Sequence, residues 1–175
     1  NMYADDTAFY YGSDNLENVE YHLQRDLESV CDWLNANKLS LNVSKTTSML
    51  ICRHQKRAHL TKNKIDLSVS GNKLAQTEST PYLGIELDNE MNFNYHIKKQ
   101  IKKINRSLGV MKRVSPFIPE ETRKTLYNTL VLPHYDYCCN IWSAISKTQI
   151  QRLQRIQNRA LRIILQCDYR SHVIP

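Results

Sequence analysis

The sequence predicts an α+β fold, with antiparallel strands and one packed helix in residues 1–92 followed by an all-helical region in residues 93–175. Three observations predict it. Short runs of alternating apolar residues, punctuated by Gly, Ser and Asn, recur through the first half, which is the period-2 mark of half-buried strands. From Phe93 the apolar period lengthens to three and four residues, as helices require. Charge divides at the same place. Residues 1–92 carry 9 Lys and Arg against 13 Asp and Glu, a net of −4, whereas residues 93–175 carry 15 against 4, a net of +11.

The elements follow in chain order. Tyr3-Ala4-Asp5-Asp6 puts two adjacent carboxylates at a tight turn, and residues 7–11 read as the strand after it, the first strand of that hairpin being mostly missing. An Asp pair at a turn is either solvated or a source of hard oxygen ligands for divalent cations. Asp14, with Glu17 three residues on, fits the N-cap of a helix. Leu16, Val19, Leu23, Leu27, Val30, Cys31 and Leu34 then give it an apolar stripe over about 20 residues, and Asn35 and Asn37 suit its end. Leu39, Leu41 and Val43 alternate, and residues 48–52 read as another strand after Ser44-Lys45-Thr46. Residues 53–64 read as an exposed loop. Ile65, Leu67 and Val69 then begin a hairpin that turns at Ser70-Gly71-Asn72. Residues 81–88 read as one strand with Leu83, Ile85 and Leu87 on a single face, where Gly84 permits close backbone approach or marks a bulge.

In the basic half, Phe93, Ile97, Ile101, Ile104, Leu108 and Met111 form one stripe, with Lys98, Lys99, Lys102, Lys103, Arg106, Lys112 and Arg113 largely off it. Pro116 and Pro119 end that helix. Pro119-Glu120-Glu121 opens the next, whose buried face is Leu126, Tyr127, Leu130 and Val131 and which Pro133 closes. Residues 134–142 form an aromatic connector that either packs in a core or stacks on bases. A last helix over 147–166 buries Ile150, Leu153, Ala160 and Ile164, with Arg152, Arg155, Arg159 and Arg162 on the other side. An arginine stripe with no acids on its own helix favours a nucleic-acid backbone over internal ion pairs.

Composition bounds the function. With 41% apolar and 23% charged residues in 175, the chain is globular, one domain or two small lobes. No apolar run approaches the ~18 residues of a membrane span, and no signal peptide is expected, because the chain opens within a strand-turn-strand. Five cysteines without a C-x-x-C predict reduced core thiols in an intracellular protein, nuclear or cytoplasmic, not a disulfide framework or zinc centre. The six scattered histidines offer no Ser-His-Asp or Cys-His constellation.

Tyr3-Ala4-Asp5-Asp6, the Leu41-Asn42-Val43-Ser44-Lys45-Thr46 stretch (L-N-x-x-K-T), Tyr82-Leu83-Gly84 and the basic helices, in that order, resemble the reverse transcriptases of non-LTR (LINE-like) retrotransposons over nearly the whole chain. The resemblance implies that residues 1–92 are the C-terminal part of a polymerase palm and residues 93–175 a helical thumb and its continuation. It implies that Asp5 coordinates Mg2+ or Mn2+ with Asp6 assisting, and that Tyr3 and the Tyr82-Leu83-Gly84 segment lie near the primer end. Lys45 would neutralise the incoming triphosphate or protonate the leaving pyrophosphate. The reaction implied is addition of deoxynucleotides from their triphosphates to a DNA primer on an RNA template, with two metal ions roughly 3.5–4 Å apart. The family takes another aspartate from an earlier palm strand and binds template through fingers, neither of which this sequence contains. The expectation is therefore a fragment, or a degenerate copy, that does not polymerise by itself. The alternative functions are a non-catalytic basic nucleic-acid-binding module and a helical domain whose arginines meet an acidic protein.

Overall fold

The first helix starts one residue later than the sequence suggests. Asn15, not Asp14, is the N-cap of α1 (Leu16–Ala36), its side-chain oxygen accepting from the Glu17 N–H at 2.9 Å. With Asn15 as the cap, Glu17 falls at the second helical position rather than the third. The structure, a computed structural model, describes residues 2–3, 6–52, 64–168 and 170–171. It divides into two units, Asn1–Thr80 and Pro81–Pro175. It is α+β, as expected, built from short strand pairs and helices.

In the first unit, β1 (Met2–Tyr3) pairs antiparallel with β2 (Asp6–Thr7), Tyr3 opposite Asp6. The strand expected over 7–11 stops at Thr7. Phe9, Tyr10 and Tyr11 are exposed and irregular, and Tyr11 stacks on His22 of α1 with ring centroids 4.4 Å apart. The end of α1 also differs from expectation. Asn37 spends its side-chain amide on the Trp33 carbonyl, so the left-handed position passes to Lys38 at φ 57°. Leu39 N–H then bonds to Leu34 O and Lys38 N–H to Asn35 O, closing a Schellman motif.

Leu39, Leu41 and Val43 form no strand. The carbonyl and side chain of Asn42 draw residues 43–45 into a turn instead. Only the start of the next predicted strand is present, as β3 (Thr47–Ser48). β4 (Ser68–Val69) and β5 (Asn72–Lys73) form the expected hairpin around Ser70-Gly71, whose φ values of 49° and 80° match a type I′ turn. β6 (Ala75–Gln76) returns to pair in parallel with β3. Ile65, Leu67 and Val19 are buried together, with Leu16, Leu23, Leu50 and Leu74 against them. The Gln24 amide fastens α1 to β4, accepting from Ser68 N–H and donating to Ser68 O, both at 3.0 Å. The basic loop expected at 53–64 lies outside the described residues up to position 63.

The segment 81–88 is a hairpin, not one strand. β7 (Ser79–Tyr82) leads into a two-residue turn at Leu83-Gly84 and back along β8 (Ile85–Asp88). Leu83, with Ile85 and Leu87 expected on one face, is instead exposed at the tip, because a tight turn takes it out of the strand alternation. The second unit is then assembled on α2 (Asn94–Val114). Its stripe is buried as expected, Ile97, Ile104 and Leu108 having no exposed surface and Met111 1%. β8, a 3-10 turn (Ser115–Phe117), α3 (Glu120–Leu130), α4 (Pro133–Asp136) and α6 (Lys147–Leu165) all pack against it. Pro119 is the N-cap of α3, and Pro133 opens α4 rather than merely ending α3. α5 (Cys139–Trp142) completes the connector, where Trp142 is buried with Ile85, Phe93, Ile97 and Leu153. Leu130 and Ile150, expected inside, are 40% and 50% exposed, whereas Val131 and Leu153, expected inside with them, are buried. The five cysteines are free thiols, all half-buried.

Arg123 is a residue that sequence counts as surface and the fold does not. It lies buried on α3, its Nε donating to Ile164 O at 2.6 Å and Nη1 to Ser115 O and Ile118 O at 3.1 and 2.8 Å. The guanidinium thereby satisfies carbonyls at the C-terminal end of α6, at the end of α2 and in the segment before α3. Arg123→Met keeps the stem's packing and removes these bonds. It is expected to cost about 3 kcal/mol in urea unfolding followed by Trp142 fluorescence, since charged hydrogen bonds contribute about 1.5–3 kcal/mol each and are not additive. Lys124→Met, one residue on and exposed, should leave the urea midpoint close to that of wild type.

Candidate active-site turn and nucleic-acid interface

The β1–β2 hairpin sets Tyr3 directly across from Asp6, and both are exposed, Tyr3 at 67%. Asp5 lies outside the described residues. Among the described residues no three His, Cys, Asp or Glu side chains converge as a metal site would need. A two-ion centre requires several carboxylate oxygens around each cation, so the described donors do not by themselves fit a complete one.

Lys45 projects from a turn that the rest of its motif builds. Asn42 Oδ1 accepts from Ser44 Oγ at 2.7 Å and from Lys45 N–H at 3.3 Å, and Thr46 Oγ1 donates to Asn42 O at 2.9 Å. The Asn and Thr of L-N-x-x-K-T are thus the structural members, and the Lys side chain is left exposed. The composition of the motif, with Asn and Ser/Thr at turn spacing, carries that signal.

Tyr82 is half-buried at the end of β7, and Leu83 and Gly84 both have positive φ, 47° and 82°, again the type I′ pattern. A left-handed Leu costs about 1–2 kcal/mol. Tyr137, in the connector between α4 and α5, offsets this by donating from Oη to Leu83 O at 2.7 Å. Its ring also fills the space a side chain at 84 would need, with Cε1 at 3.1 Å from an ideal Cβ there.

The cations of the helical unit collect on two neighbouring acid-free helices, since neither α2 nor α6 contains an Asp or Glu. Lys98, Lys99, Lys102, Lys103 and Arg106 are exposed on α2; Arg152, Arg155 and Arg159 are exposed on α6. The helices touch where Arg159 Nη1 donates to Asn105 Oδ1 at 3.3 Å, so the stripe of α6 adjoins α2. Two of the cations on these helices are partly committed. Lys99 is ion-paired with Glu86 of β8 at 2.6 Å, and the half-buried Arg162 donates from Nε to Ser171 O at 3.1 Å. Among the described residues, Lys99 is the one cation of these helices with a carboxylate at ion-pairing distance. Of the aromatics near them, Trp142 is buried and Tyr135 packs against both apolar clusters of the unit, whereas Tyr95 and Tyr137 are exposed.

Beneath this face lies a polar pair that periodicity alone could not flag, His96 and Gln100, both buried on α2. His96 Nδ1 accepts from Glu86 N–H at 3.2 Å, so the neutral ring carries its proton on Nε2, 3.4 Å from the Gln100 amide. The amide orientation that satisfies both groups turns Gln100 Oε1, otherwise buried without a partner, toward that proton. Burial, then the nearby Lys103, holds the His96 pKa below its ordinary 6.5, although Glu86 opposes the shift. His134 is lowered in the same way, by burial and then Lys103. A depressed histidine is neutral in the fold, so below pH 6.5 the unfolded chain takes up protons that the folded chain refuses. Stability should therefore fall as pH drops from 6.5, by at most about 1.4 kcal/mol per pH unit for each such group. Urea midpoints at pH 7.5 and 5.5 test this, and His96→Gln should shrink the difference between them.

The chain is similar over 95% of its length, at 28% identity, to the probable RNA-directed DNA polymerase from transposon BS of Drosophila melanogaster. It is 23% identical over 95% of its length to the corresponding probable polymerase from transposon X-element of the same species. To the RNA-directed DNA polymerase from mobile element jockey of Drosophila funebris it is 23% identical over 93%. It spans 18%, 18% and 17% of these relatives' own lengths. No family model and no solved structure matches it. Its curated homologues are thus RNA-directed DNA polymerases of Drosophila non-LTR retrotransposons, as the motif order suggested.

Proposed function

We propose that this chain is the C-terminal part of the palm, residues 1–92, and the thumb, residues 93–175, of an RNA-directed DNA polymerase of the non-LTR retrotransposon type. The observation that carries this reading is similarity along 95% of the chain to such polymerases. In it, the basic face of α2 and α6 holds the sugar-phosphate backbones of RNA template and DNA primer, where clustered cations gain affinity by displacing counterions. The Tyr82-Leu83-Gly84 turn brings its backbone to the primer end, Tyr3 is likewise assigned to the primer, and Lys45 serves the triphosphate of the incoming deoxynucleotide. Asp5 and Asp6 supply part of the donor set for Mg2+ or Mn2+. Because two adjacent carboxylates do not complete that set, nucleotide addition is assigned to a longer protein and not to these 175 residues.

The runner-up is a non-catalytic nucleic-acid-binding module, favoured by the placement of both basic helices within one unit of the fold. Fluorescence anisotropy with labelled primer-template tests what the two readings share. Binding should weaken steeply with salt, and Lys102→Gln and Arg155→Gln should each lower affinity evenly across sequences and reduce the logarithmic salt slope by about 1. Salt-independent binding, or none at low salt, would refute both and leave the acidic-protein alternative. Asp5→Ala in the longer protein separates them. Loss of Mg2+-dependent incorporation with primer-template binding retained supports the polymerase, whereas a wild-type protein that binds without incorporating supports the module.

A further inference from the structure

The Leu83-Gly84 turn depends on a residue more than fifty positions away. Both turn residues are left-handed, which glycine adopts freely and leucine does not. The Leu83 carbonyl is captured by the Tyr137 hydroxyl at 2.7 Å, and the Tyr137 ring lies so close to Gly84 that any Cβ there would press on it at 3.1 Å. Tyr137 is itself fixed. Its N–H bonds to Pro133 O at 3.1 Å, and its carbonyl accepts from the Trp142 indole N–H at 2.9 Å, with that indole buried in the core of the unit. A continuous set of contacts thus runs from the buried Trp142 to the exposed tip of the β7–β8 hairpin.

We propose that Tyr137 is the positioning residue that holds the Tyr82-Leu83-Gly84 turn in the shape that meets a primer 3′ end. This rests on the reading of that turn given under Proposed function. Tyr137 touches no reacting atom; it acts through the backbone of Leu83 and through the space it denies at Gly84. A turn released from it would still tether the hairpin but would present its peptide groups in a spread of orientations, so recognition of a strand end would suffer while general backbone binding would not.

The test uses two labelled RNA–DNA duplexes, identical except that one has a recessed DNA 3′ end and the other is blunt. The wild-type chain should prefer the recessed duplex. Tyr137→Phe keeps the ring but loses the hydroxyl, and should lower that preference about five-fold, the worth of one hydrogen bond, with affinity for the blunt duplex and its salt slope unchanged. Gly84→Ala, which pushes on the ring from the other side, should produce the same selective loss. A wild-type preference in both variants overturns the proposal, and so does an equal loss on both duplexes with a lowered unfolding midpoint, which would make Tyr137 merely structural. A wild-type chain that binds both duplexes without preference refutes the primer-facing reading of the turn itself, and one that binds neither refutes the nucleic-acid reading as well.

Discussion

The seam along α2 is the constraint on which the helical unit depends. Ile97, Ile104, Leu108 and Met111 are almost wholly inaccessible, and β8, the 3-10 turn, α3, α4 and α6 pack against the helix that carries them. A helix enclosed on that side has one remaining arc open to water, and α2 fills this arc with Lys and Arg. Packing and charge are therefore two results of one pattern: the 3.6-residue period that assigns the isoleucines to the core assigns the cations to the outside. Arg123 works from the adjoining helix toward the same end. By satisfying carbonyls that helices leave bare at their C-termini, it lets the ends of α2 and α6 be buried near α3.

What could be read from the sequence follows from how local its cause is. The long helices have repeating signals, so α1, α2 and α6 lie within a few residues of expectation. The stripe of α2 was legible for the same reason. The strands were legible only in part: the β4–β5 hairpin forms where Ser70-Gly71-Asn72 marks its turn, whereas Leu39, Leu41 and Val43 alternate yet form no strand, and alternation alone does not make a ladder. The Leu83-Gly84 turn was hidden because leucine does not advertise positive φ. Its Leu83 carbonyl accepts from Tyr137, a tertiary contact with no local trace. Arg123, a charged residue with core burial, left no sign in the sequence, and only the carbonyls brought to it by three segments explain it.

The candidate site divides along similar lines. Residue identity and order pointed to the Asp5-Asp6 turn and to Lys45. Geometry added that Asn42 and Thr46 build the turn that carries Lys45 and that Lys99 is tied to Glu86. The identity of these residues suggests chemistry, whereas the bonds around them reveal which are free to meet a ligand. Arg152, Arg155 and Arg159 remain exposed, while Arg162 is drawn toward Ser171, so a stripe that is uniform in sequence is graded in space.

The absence of acids on α2 and α6 has an energetic consequence for the fold itself. Like charges on adjoining helices repel within the roughly 8 Å over which physiological salt lets them interact. The unit therefore folds against its own field. Added salt relaxes that field and steadies the helices, and it would at the same time weaken any hold they had on a polyanion. A polyanion bound there would relieve the repulsion by another route, supplying from outside the counter-charge that these helices lack, so that its occupancy and the folding of this unit would rise together.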